Sequence, residues 1–336
     1  MLILSLLIVL FHGCRNTGND KKFTNFNSPL HFNITKSRAN EPIALLNIKG
    51  TYHLFYTTFK ESDLNNTSSI GHSISSDLLH WREISKSVFS EYKNLILRGT
   101  IVFDSKNITG YGTIEYPPLI AVFASSNKSE SKFEKITIGK PVLAFSIDNG
   151  ESWKVILENI DLPDSFGKNP QNAGISWFEP TRKWIMSVTL NDHVEFYSSA
   201  DLKIWNFESL IGADFFPEEI KWKRSALFSA GDDIHWILLA DIKKSGKIQG
   251  SGGTVYFVGY FDGHNFINQS SQLHWLDYGQ DIYGSLISIG DDGRRINIGW
   301  RNRIDEIPQK TRGNITGIVT LPREISKVLN LMIRKK

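Results

Sequence analysis

From about Glu41 onward the chain alternates short runs of Ile, Val, Phe, Tyr and Trp with clusters of Gly, Asp, Asn and Ser, and helical periodicity is nearly absent. Apolar runs bounded by turn residues are the signature of strands. The pattern predicts strands at Tyr52–Tyr56, Leu119–Phe123, Trp184–Val188, Trp236–Ala240 and Ile296–Trp300. Each is about five residues long, the ordinary length of a strand. The expected fold class is all-β.

A weak internal repeat punctuates these runs. Ser75-Ser76-Asp77-Leu78-Leu79-His80-Trp81, Ser146-Ile147-Asp148-Asn149-Gly150-Glu151-Ser152-Trp153 and Ser199-Ala200-Asp201-Leu202-Lys203-Ile204-Trp205 each read as a strand end, an Asp-centred turn and an aromatic that begins the return strand. Phe261-Asp262-Gly263-His264-Asn265-Phe266 is a looser fourth copy. A hairpin recurring every roughly 50 to 70 residues fits the blades of a β-propeller, which focuses its inner loops on a central funnel.

Composition allows such a fold and narrows its partners. The 336 residues are 40% hydrophobic and 12% aromatic, enough for a sizeable core. Lys plus Arg number 38 against 35 Asp plus Glu and are scattered, so no nucleic-acid footprint exists. No cofactor motif is present. His53, His72 and His80 sit among strand residues without metal-ligand spacing and read as core or turn histidines. Most of the nine Trp are expected in the blade core.

The first residues differ in character. Leu2–Phe11 is an apolar run of signal-peptide length, too short to span a bilayer, and it ends at Gly13-Cys14. Cys14 is the only cysteine, which excludes an internal disulfide. Its context resembles a bacterial lipoprotein signal, which implies export and tethering to the membrane of the cell envelope through a lipidated Cys14; an ordinary signal peptide and a buried N-terminal segment are the alternative readings of the run. The expected organisation is a signal peptide over 1–14, a polar linker over 15–37, a propeller over 38–328 and a basic tail over 329–336.

Several segments taken together resemble family 32 of the glycoside hydrolases, the invertases, levanases and inulinases. They include Lys49-Gly50-Thr51-Tyr52-His53-Leu54-Phe55-Tyr56, Gly71-His72-Ser73-Ile74-Ser75 with Asp77-Leu78 and His80-Trp81, and Phe178-Glu179-Pro180-Thr181-Arg182-Lys183-Trp184. Leu276-Asp277-Tyr278-Gly279, Ile298-Gly299-Trp300 and Leu321-Pro322-Arg323-Glu324 follow in order. The resemblance runs from Asn40 to Ile325. It implies a five-bladed propeller, retaining hydrolysis and a fructan, sucrose or related carbohydrate as partner. The family's C-terminal β-sandwich would begin after Leu321-Pro322-Arg323-Glu324 and is expected to be absent.

Retaining hydrolysis needs a nucleophilic carboxylate and a second carboxyl about 5 to 5.5 Å away that protonates the leaving oxygen. The resemblance places the nucleophile of the family's N-D-P-N-G motif at Glu41 in Asn40-Glu41-Pro42, one methylene longer than the family's Asp. The Asp of R-D-P falls on Asn172 in an ungapped reading and on Asn169 in a gapped one, an amide either way. The general acid of W-E-C-P-D falls on Lys223 within Trp222-Lys223-Arg224-Ser225-Ala226, and an ammonium is a poor proton donor near neutrality. Thr57 stands for a family Gln, Ile70 for a Trp and Leu286 for a Gln. Asn40, Thr57, Ile70, Arg98, Thr100, Asn172, Trp222 and Lys223 are the candidate substrate-binding residues. Glu115, Asp104, Asp241 and Glu195 are further carboxylates by type, expected to be solvated or to cap backbone. The readings left open are a catalytically impaired glycan binder, an active β-fructofuranosidase or levanase using Glu41, and a truncated product without function.

Overall fold

The computed structural model describes residues 38–59, 68–88, 98–127, 137–156, 161, 165, 172–212, 220–232, 234–244, 252–269, 274–278, 282–301 and 318–326. The described chain is all-β apart from 3-10 turns such as Glu179–Thr181, and none of its helices is long and apolar enough to cross a membrane. It forms five antiparallel sheets.

Blade 1 holds β1 (Arg38–Ile48), β2 (Thr51–Phe59), β3 (Ser68–Ser75) and β4 (Arg82–Val88). Blade 2 holds β5 (Arg98–Phe103), β6 (Leu119–Asn127), β7 (Thr137–Ser146) and β8 (Lys154–Ile156). Blade 3 holds β9 (Asn172–Phe178), β10 (Lys183–Thr189), β11 (Val194–Ser199) and β12 (Asn206–Ile211). In blade 4, β13 (Ile220–Ser229), β14 (His235–Lys244) and β15 (Gly252–Phe261) carry β16 (Phe266–Asn268) and β17 (His274–Trp275) along the edge of β15. Blade 5 pairs β18 (Ile282–Ile289) with β19 (Arg295–Arg301), whose other edge takes β20 (Ile318–Val319) and β21 (Arg323–Ile325).

The first strands of the blades touch in a closed cycle, β1 to β5 to β9 to β13 to β18 and back to β1. That is a five-bladed propeller closed around an axis, as the resemblance implies.

The uninterrupted apolar runs have a geometric cause. Side chains alternate across a strand, and each blade is covered by a neighbour on both sides. On β6, Leu119, Ala121 and Phe123 pack toward blade 1 with Phe55, Ile70 and Ile101, whereas Ile120 and Val122 pack toward blade 3 with Trp184 and Met186. The core therefore consists of clusters between blades. One joins blades 3 and 4 through Phe196, Trp222 and Phe257, one joins 4 and 5 through Leu239 and Ile287, and one closes 5 onto 1 through Leu54 and Trp300. All nine tryptophans are buried or half-buried.

The repeated turns occupy one topological position, the link between the third and fourth strands of blades 1 to 4. In each of the first three, Asp Oδ1 accepts backbone N–H bonds from within the turn: from His80 to Asp77 at 2.7 Å, from Ser152 to Asp148 at 2.9 Å and from Lys203 to Asp201 at 2.9 Å. The leading Ser accepts the N–H of Leu78, Gly150 or Leu202. Those three residues have φ of 65°, 91° and 65°, and their carbonyls accept the indole N–H of Trp81, Trp153 and Trp205. The blade 4 copy keeps the Asp262 bonds to His264 and Asn265 N–H but has Phe266 where the others have Trp, so the indole bond is lost.

Candidate functional site

β1, β9 and β13 carry Glu41, Asn172 and the Trp222–Arg224 run near their amino ends; Asn172 and Arg224 line the axial cavity, whereas Glu41, Trp222 and Lys223 are not among its lining residues. On β1 two register shifts flank Pro42. Thr57 on β2 closes the first of them: the Glu41 N–H donates to Thr57 Oγ1 at 2.9 Å, and that hydroxyl donates to the Glu41 carbonyl at 3.3 Å. The Glu41 side chain is left 65% exposed.

On β13 a second bulge falls at Lys223, between the pairs Trp222–Ile242 and Arg224–Asp241. The bulge separates the two cations: Lys223 is half-buried, and Arg224 is only 8% exposed. Arg224 Nη1 donates to the Pro42 carbonyl at 2.8 Å. Its Nη2 lies 3.7 Å from Glu41 Oε2 and its Nε 3.7 Å from Asp241 Oδ2. The guanidinium thus bridges an exposed carboxylate of blade 1 and a buried one of blade 4.

Asp241 is held from three directions. Its Oδ1 accepts the Thr254 hydroxyl at 2.6 Å, and its Oδ2 accepts the Gly284 N–H of blade 5 at 2.7 Å. Thr254 Oγ1 also lies 3.1 Å from Ser285 Oγ. Burial pushes the Asp241 carboxyl above the ordinary carboxylate range, against the opposing pull of Arg224, Thr254 and the Gly284 N–H. Gly284 has φ of +63°, and a Cβ there would stand 3.3 Å from the Pro42 ring. The closing junction of blades 4, 5 and 1 is tied through this one charged cluster.

A cavity of about 540 Å³ runs along the axis, with Thr100, Asn172, Arg224, Ser225, Ser285 and Leu286 among its lining residues. Asn172 opens β9, and its Oδ1 accepts the Ala173 N–H at 2.6 Å. Ser225 Oγ lies 2.7 Å from Thr189 Oγ1. Of the residues expected from the sequence, Thr100 and Asn172 reach this cavity and Thr57 supports Glu41 from behind. Ile70 is fully buried between blades 1 and 2, and Trp222 is buried between blades 3 and 4. Neither presents surface to solvent. Asn40 and Arg98 lie on β1 and β5, but their side chains, like Asn169 and Cys14, are outside the described residues.

The remaining carboxylates sort by local contact. Glu115 is exposed. Asp104 caps a loop through the N–H groups of Ile108 and Thr109. Glu195 is buried and accepts the Tyr197 hydroxyl at 2.6 Å. Asp241 caps a backbone N–H as expected, but it is buried in mid-strand and ion-paired rather than solvated at a turn. Arg224 and Asp241 are the pair that residue-by-residue reading of the motifs passed over. Asp241 carried a signal, a carboxylate inside the apolar run Trp236–Ile242, and a buried charge demands a partner; Arg224 did not stand out, because β13 also carries Lys221 and Lys223.

The pattern of a family model described as "Glycosyl hydrolases family 32 N-terminal domain" matches residues 31–332. Levanase of Bacillus subtilis is 26% identical over 339 residues, covering 97% of this chain and 48% of the levanase. Extracellular exo-inulinase of Aspergillus awamori is 26% identical, covering 81% of this chain and 56% of the inulinase. The chain thus spans about half the length of the curated relatives it matches. Among solved structures, exo-inulinase from Aspergillus awamori superposes with a TM-score of 0.73 at 25% identity, covering 90% of this chain and 65% of that one. The β-fructofuranosidase of Schwanniomyces occidentalis complexed with fructosyl-erythritol gives 0.75 at 22% identity, covering 90% and 60%, a likeness of fold.

Proposed function

The chain belongs to family 32 of the glycosyl hydrolases, and from that premise we propose that its propeller serves fructan- or sucrose-type carbohydrate metabolism by binding glycan in the axial funnel, with hydrolysis severely impaired. One observation carries the reading: the charged group facing Glu41 at 3.7 Å is the Arg224 guanidinium, where retaining hydrolysis requires a second carboxyl. A guanidinium cannot donate a proton near neutrality, and it lowers the nucleophilicity of the carboxylate it pairs with. It also opposes the positive charge that develops on the sugar. Loss of general acid catalysis alone costs about 10² to 10⁴ in rate, before the longer reach of Glu41 is counted. Asn172, Thr100 and Ser285 still offer amide and hydroxyl groups that suit sugar hydroxyls.

A second reading, hydrolysis with Glu41 as nucleophile and Asp241 as proton donor, draws support from the upward shift of the Asp241 carboxyl. Against it, both Asp241 oxygens accept hydrogen bonds and Arg224 contacts both carboxylates. The deciding experiment measures fructose release from sucrose, levan and inulin between pH 5 and 8, alongside a levan-binding isotherm. Saturable binding is expected, with release at background. Fructose release that disappears in Glu41→Ala would overturn the proposal in favour of the second reading.

A further inference from the structure

Asp241 does not line the axial cavity, yet a chain of hydroxyl groups connects it to that cavity. The β14–β15 register sets Asp241 opposite Thr254, and a register shift on β18 between Tyr283 and Leu286 falls at Gly284 and Ser285, the residues that meet them from blade 5. Thr254 Oγ1 lies 2.6 Å from Asp241 Oδ1 and 3.1 Å from Ser285 Oγ, and the Gly284 N–H donates to Asp241 Oδ2 at 2.7 Å. Asp241, Thr254 and Ser285 are all buried. Of the three, Ser285 lines the cavity.

Such a chain has a direction, because each hydroxyl has one proton to donate. The carboxylate form of Asp241, favoured by the Arg224 guanidinium 3.7 Å away, has no proton to give, so Thr254 spends its own on Oδ1. The contact between Thr254 and Ser285 is then closed by the Ser285 proton. Ser285 reaches the cavity as an acceptor. Asn172, which also lines the cavity, is fixed in the opposite sense: its Oδ1 accepts the Ala173 N–H, so the amide N–H groups are what it has to offer. With Arg224 set between Glu41 and Asp241, selection in the cavity falls to these neutral groups.

Building on the glycan-binding reading above, we propose that Asp241 is a positioning residue that acts through Thr254 and Ser285, so that the funnel selects a neutral polyol with one free hydroxyl donating to Ser285 and another oxygen accepting from Asn172. A buried acceptor rejects a ligand group that cannot donate, because both would be left without a partner. A hydroxyl blocked as an ether or replaced by fluorine is therefore excluded at Ser285, although it is tolerated at Asn172.

The probe is methyl β-D-fructofuranoside, titrated into the full chain by ligand-observed NMR beside analogues in which each hydroxyl in turn is replaced by fluorine, which accepts but cannot donate, or by hydrogen, which does neither. At one position hydroxyl is expected to bind roughly three- to tenfold tighter than hydrogen, the scale of one hydrogen bond, with fluorine at or below hydrogen. In Thr254→Val the Ser285 proton is released toward the ligand, and fluorine should rise above hydrogen at that position. Thr254→Ser should keep the wild-type order, and Ser285→Ala should flatten it. If Thr254→Val does not fold, the wild-type order and Ser285→Ala decide the case. A wild-type chain in which no position shows this order, or an order that the folded Thr254→Val or Ser285→Ala variant leaves unchanged, would overturn the inference and leave glycan binding intact. Binding of levan without binding of the furanoside would place the glycan outside the cavity and also overturn the inference alone. Absence of binding by both would overturn the inference together with the reading on which it rests.

Discussion

At the outer edge of blade 3, every hydrogen bond of Asp201 closes within one turn, onto Ser199, Lys203 and Ile204. Beside the axis, Asp241 of blade 4 reaches Thr254 on the neighbouring strand, Gly284 in blade 5 and, through Arg224, Pro42 and Glu41 in blade 1. The two aspartates have the same chemistry and opposite reach. The outer turn recurs from blade to blade because it is satisfied locally, whereas the axial cluster is a single construction at the seam where the ring closes. Divergence can therefore rebuild the axis while the hairpins stay recognisable. The partners also respond differently to loss. Water can replace a carboxylate in an open turn, but at the seam its loss strands a buried guanidinium, a backbone N–H and a threonine hydroxyl.

The strongest way to break this contrast is Asp241→Ala, expected to destabilise the chain by about 3 to 5 kcal/mol, as removal of one partner of a buried ion pair does. Urea unfolding monitored by tryptophan fluorescence measures it. A loss no larger than that of an outer turn would show that the seam is not held by this charge.

A middle case sharpens the comparison, because it lies inside one blade. His53 Nδ1 and His72 Nε2 are 3.0 Å apart and buried, with His72 stacked on Phe55. Burial lowers His53 to about 4, and burial together with the His53 charge lowers His72 to about 3. Both lie below the unfolded value of about 6.5, so the unfolded chain binds protons first and stability falls as pH drops below 6.5. The decline continues toward pH 4 and below, at up to about 1.4 kcal/mol per pH unit for each histidine. The midpoint of urea unfolding should fall between pH 7 and pH 5 in the wild-type chain more steeply than in His53→Gln/His72→Gln. Parallel pH profiles for the two proteins would assign the acid sensitivity to other groups.

The smallest effect is expected at the outer edge. Asp201→Ala should cost about 1 kcal/mol, since each lost bond is local and water reaches the turn. A loss above about 3 kcal/mol in the same unfolding assay would mean that the outer hairpins are as consequential as the seam.

Much of the fold was legible along the chain. Apolar runs marked strands, and the Ser–Asp–Trp spacing marked hairpins, because a turn is closed by residues within a few positions of one another. The expectation of Glu41 at the nucleophile position and of Asn172 or Asn169 at the second acidic position came from short motifs, which carry their own context. The Arg224–Asp241 pair was not assigned, since its two members are 17 positions apart and meet only through the β13–β14 register. The burial of Trp222 and Ile70 escaped for the same reason, because an aromatic or aliphatic residue in a strand points to a ligand or to a neighbouring blade according to the twist and packing of sheets not yet formed.

By itself, the sequence determined that the chain would fold as repeated β-hairpins and that it resembles the fructan-hydrolysing propellers, with Glu41, Asn172 and Lys223 expected at the motif positions of their acids. Only the tertiary structure decided what stands beside Glu41. A β-bulge at Lys223 and closure of blade 5 onto blade 1 bring Arg224, Asp241 and Gly284 together. The physical reason is that hydrogen bonds within a turn depend on local spacing, whereas a charge at the axis depends on where three separate blades come to rest.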